Sequence, residues 1–548
     1  MKKAAQLLFV SFLVIVISIF FAQQRTKILF SSFEKEPEKL KIYYTFFPDL
    51  QDNLDLTLSS QIDELTSSAW ELQKVSSQSN TPDIDIQVSL SLEEKLNYKV
   101  MIPVTHFYQT FDSVDLTNDY LYSCFENCSD VRLVLNYLDK DLSLLKEFAD
   151  QDEFLTYLEE EKSISFIEPR YLDYKYKLLL LNNHYYLDDI SKGFLSIGIN
   201  AIDKSNEANA FILEAKNKLN ALFDGYASTS ETGITLSQIK TLQMTGVTAM
   251  SRQYLMKMRS MGIDFMLGSI KEVLQNASLT HVSNEVSMTS NCTISDTRFC
   301  SDLSSLSLLQ KAGVDIVELT GNHNNDWGFE ANESTINLYN ENGLSYFGGG
   351  LNAEDAAKTL YKEIGDTKLA FLGYNYYDTL KNTYAIATSN PGANSFDLAK
   401  IQSDITKSKS EGAFVIVSVQ YTECYAYPDT NIIFKQCYLP VQGQKEDFRK
   451  IVDIGADLVI GTQAHQPQTF ELYQGKPIFY GLGNLFFDQY MWVGTSHGMI
   501  LKFYFLKNEL LQVKIISTNY DKSMVTYETS GSERKALLDL LFEARNGL

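Results

Sequence analysis

The stretch VDIVELTGNH, from Val314 to His323, decides the fold class of this chain. It is a short apolar and β-branched run that ends in Gly321, Asn322 and His323, and a helical period follows it. Glycine allows the backbone to turn sharply at the end of a strand. The two residues after it then offer an oxygen and a nitrogen to a ligand. The stretch therefore predicts a buried strand that delivers polar side chains to the edge of a sheet.

Five further runs of the same kind surround this stretch, and helical periods separate them. They are LQMTGVTA (242–249), LTHVSNEV (279–286), KLAFLGYN (368–375), AFVIVSVQY (413–421) and ADLVIGTQAH (456–465). Strands that alternate with helices are typical of α/β layering. In open α/β sheets, sites are built beyond the carboxyl ends of the strands. We therefore expect the polar residues that end these runs to form a site.

The composition argues for a folded chain and limits the kinds of molecule that the chain binds. The chain has 548 residues, with 47 basic and 69 acidic side chains and a formal charge of −22. The length suggests about three domains or two large ones. Its 33 Phe and 32 Tyr supply enough core material to argue against disorder as the main state. The acid excess argues against a nucleic-acid partner, because a basic surface is needed to bind phosphates.

The N-terminus is typical of an exported protein. Lys2 and Lys3 precede an apolar run from Leu7 to Ala22, which predicts a signal or membrane anchor over residues 1–22. A bulky residue stands where a cleavage site needs a small one. We therefore expect an uncleaved anchor with a single pass and the bulk of the chain outside the cytoplasm. Secretion after cleavage is the alternative.

The cysteines fit that compartment. They fall into three pairs that are close in sequence, which favours local disulfides in an exported chain over a metal site. The predicted pairs are Cys124 with Cys128, Cys292 with Cys300, and Cys424 with Cys437.

Changes in residue composition and pattern along the chain also predict its domain organisation. Residues 41–222 form an α+β extracytoplasmic domain, and 223–236 form a small, polar linker. The α/β runs occupy 237–520, and 521–548 are a closing strand and helix. Within the first domain, the phrase from Ile164 to Arg170 resembles the second lobe of periplasmic solute-binding domains, and a structural spacer is the alternative.

Four of the strand ends, in their order and spacing, resemble the CapA family of poly-γ-glutamate capsule biosynthesis proteins. The segments that carry the resemblance are Ser283-Asn284-Glu285, Gly321-Asn322-His323 with Asp326 and Gly328, Gln420 to Glu423, and Gly461 to His465 with Gly483-Asn484. The resemblance covers residues ~238–520. It implies a fold similar to the calcineurin-like metallophosphatases, an αββα sandwich in the C-terminal half.

Three positions depart from the pattern of the family. Val247 stands where the resemblance implies a bridging Asp, and Gln420 and Gln463 stand where it implies metal-binding His. Gln is a poor Zn²⁺ ligand but hydrogen-bonds carboxylates, amides and sugars. The remaining ligand set, Glu285, Asn322, His323 and His465, could hold at most one divalent ion of unidentified kind.

The resemblance implies roles for ten residues. The catalytic candidates are His323, His465, Glu285 and Asp326. The substrate-binding candidates are Asn284, Asn322, Gln420, Glu423, Gln463 and Asn484. An alternative for Asp326 is that it caps the helix that begins near Phe329.

The sequence leaves three functions open. The first is a membrane-anchored CapA-like protein that acts with the capsule machinery in synthesis, export, tethering or hydrolysis of a cell-surface polymer such as poly-γ-glutamate. The second is a non-catalytic scaffold that binds a polymer or glycan. The third is a metal-dependent phosphoesterase. Whether the chain is an enzyme, a metal-assisted hydrolase of the metallophosphatase-like superfamily, stays open at this point.

Overall fold

A computed structural model of the chain describes most of the sequence beyond residue 39. The described residues are 40–46, 61–62, 64–65, 70–74, 82, 84–91, 99–109, 112–125, 128–182, 184–189, 194–204, 209–230, 237–295, 297–381, 383–424, 437–492 and 494–548. The predicted anchor, residues 1–22, lies outside them. In the part of the chain that is described, the helices are all too short or too polar to cross a bilayer.

Strands and short helices alternate in the first part of the chain. The strands there are β1 (Leu40–Phe46), β2 (Trp70–Lys74), β3 (Ile84–Ser91), β4 (Lys99–His106), β5 (Ser113–Val114), β6 (Tyr122–Phe125), β7 (Leu145–Phe148), β8 (Ser165–Ile167), β9 (Tyr176–Leu178), β10 (Leu180–Leu181) and β11 (Leu195–Asp203). The helices there are α1 (Cys128–Tyr137), α2 (Gln151–Glu160) and α3 (Ala210–Ser230).

The second part carries the α/β alternation that the sequence predicts. Its strands are β12 (Lys240–Thr245), β13 (Val247–Thr248), β14 (Leu279–Asn284), β15 (Ile316–Glu318), β16 (Ser345–Phe347), β17 (Gly349–Gly350), β18 (Leu360–Ile364), β19 (Thr367–Asn375), β20 (Gly392–Ala393), β21 (Phe414–Gln420), β22 (Leu458–Thr462), β23 (Pro467–Tyr473), β24 (Lys476–Leu482), β25 (Asn484–Phe486), β26 (Gly498–Leu506), β27 (Glu509–Asn519) and β28 (Tyr527–Glu528). Its helices are α4 (Arg252–Met261), α5 (Ile263–Leu267), α6 (Ile270–Gln275), α7 (Ser305–Ala312), α8 (Phe329–Glu341), α9 (Ala353–Ala356), α10 (Tyr377–Lys381), α11 (Leu398–Ser410), α12 (Gln442–Ile454) and α13 (Gly531–Arg545).

The chain divides into two compact units whose ranges interleave in sequence. The smaller unit comprises 1–100, 128–142 and 196–231, and the larger comprises 101–127, 143–195 and 232–548. The sequence prediction groups 41–222 together, whereas these units share that range between them. Helix α3 extends to Ser230 and so enters the range predicted as a linker, 223–236.

The strands of the smaller unit form a mixed sheet. Strand β1 pairs in parallel with β2 and with β3, and β11 pairs antiparallel with β3. Ile84 and Ile86 of β3 and Ile197 of β11 are fully buried. Ile84 and Ile86 are two residues apart and so lie on the same, buried face of β3.

The larger unit contains two sheets that pack face to face. The first has the order β16-β15-β14-β12-β26-β27-β28, and β13 lies between β14 and β25. The second has the order β18-β19-β21-β22-β24-β23. Leu242 and Phe503 of the first sheet and Phe371, Ile416 and Phe479 of the second belong to one buried apolar cluster. That cluster is the core between the two sheets.

Helices cover the outer face of each sheet. Helices α4 to α8 pack on the first sheet, where Tyr254, Leu274 and Ile336 share a buried cluster with Val282 and Val317 of β14 and β15. Helices α11 and α12 pack on the second sheet through a separate cluster that includes Ile405, Phe448 and Val415. The layers are therefore helix, sheet, sheet, helix, and the predicted αββα sandwich of the C-terminal half is confirmed.

The first segments of the larger unit pack on this sandwich through aromatic side chains. Phe107 lies in the core between the sheets with Phe470. The hydroxyl of Tyr108 accepts a hydrogen bond of 2.5 Å from the backbone N–H of Leu472, and the guanidinium of Arg545 lies 3.6 Å from the centre of the Tyr108 ring. The segment that carries Phe107 and Tyr108 thus shares a core with the sandwich.

Disulfides join the cysteines that lie close in sequence. Cys292 is bonded to Cys300 and Cys424 to Cys437, eight and thirteen residues apart. Cys124 and Cys128 are also disulfide-bonded.

Candidate functional site

The polar strand ends of both sheets contribute to one site in the larger unit. Strands β13, β14 and β15 run parallel in the first sheet, and β19, β21 and β22 run parallel in the second. The carboxyl ends of parallel strands lie on the same edge of a sheet. Glycines let the strands approach closely there, since a Cβ at Gly321 would lie 2.4 Å from the Cα of Glu285.

Glu285 is the most unusual residue at this edge. It follows β14, is 2% exposed, and has no hydrogen-bond partner for either carboxylate oxygen among the described residues. Burial raises the pKa of Glu285 to about 7, while the charges of His323 and Arg252 oppose the rise. A buried carboxylate without partners is costly, so it holds a proton more tightly than a solvated one.

His323 and Asp326 form a pair beside Glu285. The Nδ1 of His323 lies 2.8 Å from the Oδ2 of Asp326, and the ring packs on Phe299 with centroids 4.2 Å apart. Burial favours the neutral imidazole, but the hydrogen bond to Asp326 and the charge of Glu285 outweigh it and raise the pKa of His323. Glu285, His323 and Asp326 form the charged side of the site.

The capping role considered for Asp326 is wrong. Helix α8 begins at Phe329, and its N-cap position is Gly328, without a side-chain hydrogen bond. The Oδ2 of Asp326 instead accepts a 2.8 Å hydrogen bond from the backbone N–H of Phe299 and faces His323. Asp326 therefore orients the imidazole and ties two loops together.

Amide side chains hold one another on the opposite side of the site. The Nε2 of Gln420 donates to the Oε1 of Gln463 at 2.5 Å and to the Oδ1 of Asn322 at 3.1 Å. The Nδ2 of Asn375 donates to the Oε1 of Gln420 at 2.6 Å, and Gln463 donates to Glu423 at 3.3 Å. Asn375, Gln420 and Gln463 form the amide side of the site, which Asn322 joins to the charged side.

Gln463 adopts a backbone conformation that favours glycine, with a φ of 81°. A side chain in the left-handed region costs free energy and persists where the surroundings hold it. Here its amide is held between Gln420 and Glu423. The conformation places the side chain of Gln463 in the amide side rather than beside its own strand.

Three further predicted residues, His465, Asn484 and Asn284, are buried and hydrogen-bonded. His465 is 4% exposed, and its Nδ1 lies 3.0 Å from the Oδ1 of Asn484, which in turn donates to the backbone of Thr495. Burial lowers the pKa of His465 to about 4, so the ring is neutral at physiological pH. Asn284 is fully buried and donates to the hydroxyl of Tyr339 at 3.0 Å.

The structure adds three residues that the sequence motifs do not contain. Arg252 forms an ion pair of 2.5 Å with Asp488, and its guanidinium lies 4.4 Å from the ring centre of Phe299. Asp378 is 3% exposed, and burial raises its pKa to about 6. Asn375 ends the KLAFLGYN run, so its place at a strand end was the signal for it, whereas Arg252 and Asp378 lie outside every motif.

The donor set at this edge does not fit a resident metal ion. Among the residues described, no three His, Cys or carboxylate ligand atoms lie within 4.8 Å of one another at this site. Gln420 and Gln463 stand where the family resemblance implies metal-binding His, and they bond to each other. Divalent-metal hydrolases need several converging anionic or imidazole ligands.

The fold and the site define a class: an α/β sandwich with a polar site at the carboxyl edges of its strands. Residues 241–489 match a family model described as "Bacterial capsule synthesis protein PGA_cap". Over this range the chain is similar to that family, as the strand-end motifs predict.

Curated relatives show the same similarity. The capsule biosynthesis protein CapA of Bacillus anthracis is 26% identical over 230 residues, which are 41% of this chain and 53% of that protein. The PGA biosynthesis protein CapA of Bacillus subtilis is 26% identical over 205 residues, which are 37% of this chain and 50% of that protein. The chain spans about half the length of these relatives.

Solved structures resemble the chain only loosely. The calcineurin-like phosphoesterase YfkN from Bacillus subtilis is 12% identical and covers 56% of this chain and 99% of its own, with a TM-score of 0.32. At that score the likeness carries no argument about the site or a reaction.

Proposed function

We propose that this chain binds an extracytoplasmic polymer of the capsule type, such as poly-γ-glutamate, and that it does so without a metal ion. The observation that carries the proposal is the amide side of the site. Gln420 and Gln463 occupy the positions where the family resemblance implies metal-binding His, and they hydrogen-bond each other. Amides donate to and accept from the peptide, carboxylate and hydroxyl groups of such a polymer.

Arg252 supports an anionic partner in spite of the overall charge of −22. A chain of that charge repels a polyanion at long range, so binding needs a local cation. Arg252 lies beside Glu285, which feels its charge, and although it is paired with Asp488, its Nε has no hydrogen-bond partner among the described residues. Aromatic rings of Phe299 and Phe487 flank the guanidinium at 4.4 and 5.0 Å and hold it in place.

Membrane anchoring through residues 1–22 and a place outside the cytoplasm belong to the same proposal. The sequence of the N-terminus and the even number of cysteines support it, together with the disulfides of the larger unit. Disulfides persist in oxidising compartments.

The test measures polymer binding and metal content in the full-length protein. We expect poly-γ-glutamate to bind equally with and without EDTA, and elemental analysis to find well under one metal per chain. Gln420→Ala with Gln463→Ala should weaken binding about tenfold or more, whereas Gln402→Ala, on the exposed face of α11, should not. A stoichiometric metal whose removal abolishes polymer binding would refute the proposal.

A second function, hydrolysis of the polymer, is favoured by the charged side. Glu285 has no hydrogen-bond partner, and His323 is oriented by Asp326. A buried acid beside an oriented imidazole is an arrangement that transfers protons to and from a scissile group. His323→Ala should abolish chain cleavage of bound polymer while His497→Ala leaves it intact. Absence of cleavage by the wild type at any pH between 5 and 9 leaves binding as the function.

A further inference from the structure

A cavity of about 590 Å³ lies in the larger unit, apart from the site at the strand ends. It is bounded by β9 and β10, by β27, and by the first turns of α13. Its apolar lining includes Phe107, Leu178, Leu180, Val513, Leu538 and Phe542. Small-molecule sites are concave, mostly apolar, and of ~300–1,000 Å³. The size and the walls of this cavity fall in that class.

An ion triad closes one end of the cavity. Asp112 is bonded to Lys177 at 2.7 Å and to the Nε of Arg534 at 2.6 Å. The side chains of Lys177 and Arg534 are only 16% and 17% exposed. Two cations against one carboxylate leave one positive charge at a site that is largely removed from water.

Both cations keep hydrogen-bonding capacity for a ligand. The ammonium of Lys177 has three donors, and Asp112 and the backbone oxygen of Gln109 use two of them. The guanidinium of Arg534 has five donors, and four are directed to Asp112, Ile515 and Ser517. One donor on each group is left over among the contacts of the described residues.

The start of a helix adds to the cationic end of the cavity. Lys514 and Lys535 in the lining are already paired with Asp188 and Asp539, so the excess of positive charge rests on Lys177 and Arg534. Ser530 and Gly531, at the start of the fifteen-residue helix α13, also line the cavity. The start of a helix carries a partial positive charge.

From the cavity, its apolar walls and the cationic end, we propose that this is a binding site for a small amphipathic carboxylate. The carboxylate lies against Lys177 and Arg534, and the apolar body lies between Phe107, Val513 and Phe542. The site is separate from the proposed polymer site, since it shares no residue with it. A carboxylate with no apolar body, or an apolar body with no carboxylate, fills only half of these interactions.

The test uses 4-phenylbutyrate as the probe, with 4-phenylbutanamide as the uncharged match and inorganic phosphate as the ion alone. Titration calorimetry on the full chain should give a Kd for phenylbutyrate on the order of 1 mM or tighter. The amide and phosphate should each bind at least tenfold more weakly. Equal affinity of the amide or of phosphate, or no binding of phenylbutyrate below ~10 mM, overturns the proposal.

Two variants place the ligand in the cavity. Lys177→Met should weaken phenylbutyrate binding at least tenfold, whereas Lys368→Met, a surface lysine paired with Glu411, should not. Ser113→Trp, at the exposed rim, should block the cavity with no change in its charge and serves if Lys177→Met fails to fold. Unchanged affinity in Ser113→Trp overturns the assignment to this cavity.

The pH dependence of binding gives an independent readout. Burial lowers the pKa of Lys177 to about 8, with Asp112 opposing this and Arg534 adding to it. Those two groups are the charges that act on Lys177. Affinity for phenylbutyrate should therefore be flat from pH 6 to 7 and fall above pH 8, and Lys177→Arg should remove that fall. A flat profile in the wild type up to pH 9.5 contradicts a role for Lys177.

Discussion

The charged side and the amide side of the strand-end site differ in how far their polar groups are satisfied. On the charged side, both oxygens of Glu285 are buried without a partner. On the amide side, Gln420 alone makes three side-chain hydrogen bonds, to Asn322, Asn375 and Gln463. One side therefore stores unfavourable free energy that a ligand could relieve, and the other is a rigid, neutral frame. The comparison separates two roles: Glu285 is the group that can exchange a proton with a ligand, and the amides hold one another in the arrangement proposed to bind the polymer.

The largest expected effect tests whether the charged side needs its close backbone packing. In Gly321→Ala the new Cβ would lie 2.4 Å from the Cα and Cβ of Glu285, so a strand end must move. We expect a loss of about 3 kcal/mol in the free energy of unfolding, measured by urea denaturation, because overpacking against backbone cannot be relieved by a rotamer.

Gly443→Ala is the matched control near the amide side. Its Cβ would lie 3.1 Å from the hydroxyl of Tyr421, the far end of a side chain. The control should cost under ~1 kcal/mol, since Ala is also the better helix former. Equal losses in the two variants would show that Glu285 is not held by the packing of Gly321.

The second prediction concerns the cost of the buried carboxylate. The pKa of Glu285 is raised from 4.5 to about 7 in the folded chain, so the folded state binds more protons than the unfolded state between these values. Stability therefore falls as pH rises through that window, by up to about 3 kcal/mol in total. Glu285→Gln should remove this fall and be more stable than the wild type at pH 8.

Denaturation of both proteins at pH 5 and pH 8 measures the effect, and Glu363→Gln, an exposed residue of β18, controls for the loss of one negative charge. If the stability difference between the wild type and Glu285→Gln is the same at pH 8 as at pH 5, a partner stabilises the ionised carboxylate of Glu285 and the prediction is wrong.

The smallest expected effect is on the amide side. Gln420→Met keeps the volume but leaves Asn322, Asn375 and Gln463 each short of one hydrogen bond. We expect a loss of about 2 kcal/mol in the free energy of unfolding, since each lost bond is worth ~1 kcal/mol and solvent satisfies part of the site. Gln402→Met, exposed on α11, should change stability by under ~0.5 kcal/mol. An unchanged free energy of unfolding in Gln420→Met would show that the amides do not form a rigid frame.

Much of the site could be predicted because the ends of strands can be recognised in the sequence. The runs that end in Glu285, His323 and Gln420 lie where α/β topology gathers side chains, so their proximity followed from the pattern alone. Asp326 shows the limit of such reasoning, because a residue before a helix is read as a cap. Its actual partners, His323 and the backbone of Phe299, come from a loop whose path no periodicity encodes.

Arg252 and Asp378 are residues of the site that sequence reasoning did not find. Arg252 follows β13 and takes a φ of 47°, while Asp378 lies on the short helix α10. Neither position repeats a motif or a spacing. Each enters the site only because its own segment packs beside Glu285 or Asn375.

The sequence by itself determined the α/β class and the short-range cysteine pairs, and its resemblance to a known family implied the αββα sandwich. Hydrophobic periodicity and residue spacing are local properties, so they can be recognised from the sequence alone. The tertiary structure decided which polar groups are satisfied: that Gln420 and Gln463 bond to each other, and that Glu285 has no hydrogen-bond partner. It also decided that Asp112, Lys177 and Arg534, up to 422 residues apart, meet at one cavity. Burial and partnership depend on packing between distant segments, and that packing sets both the charge and the chemistry of each group.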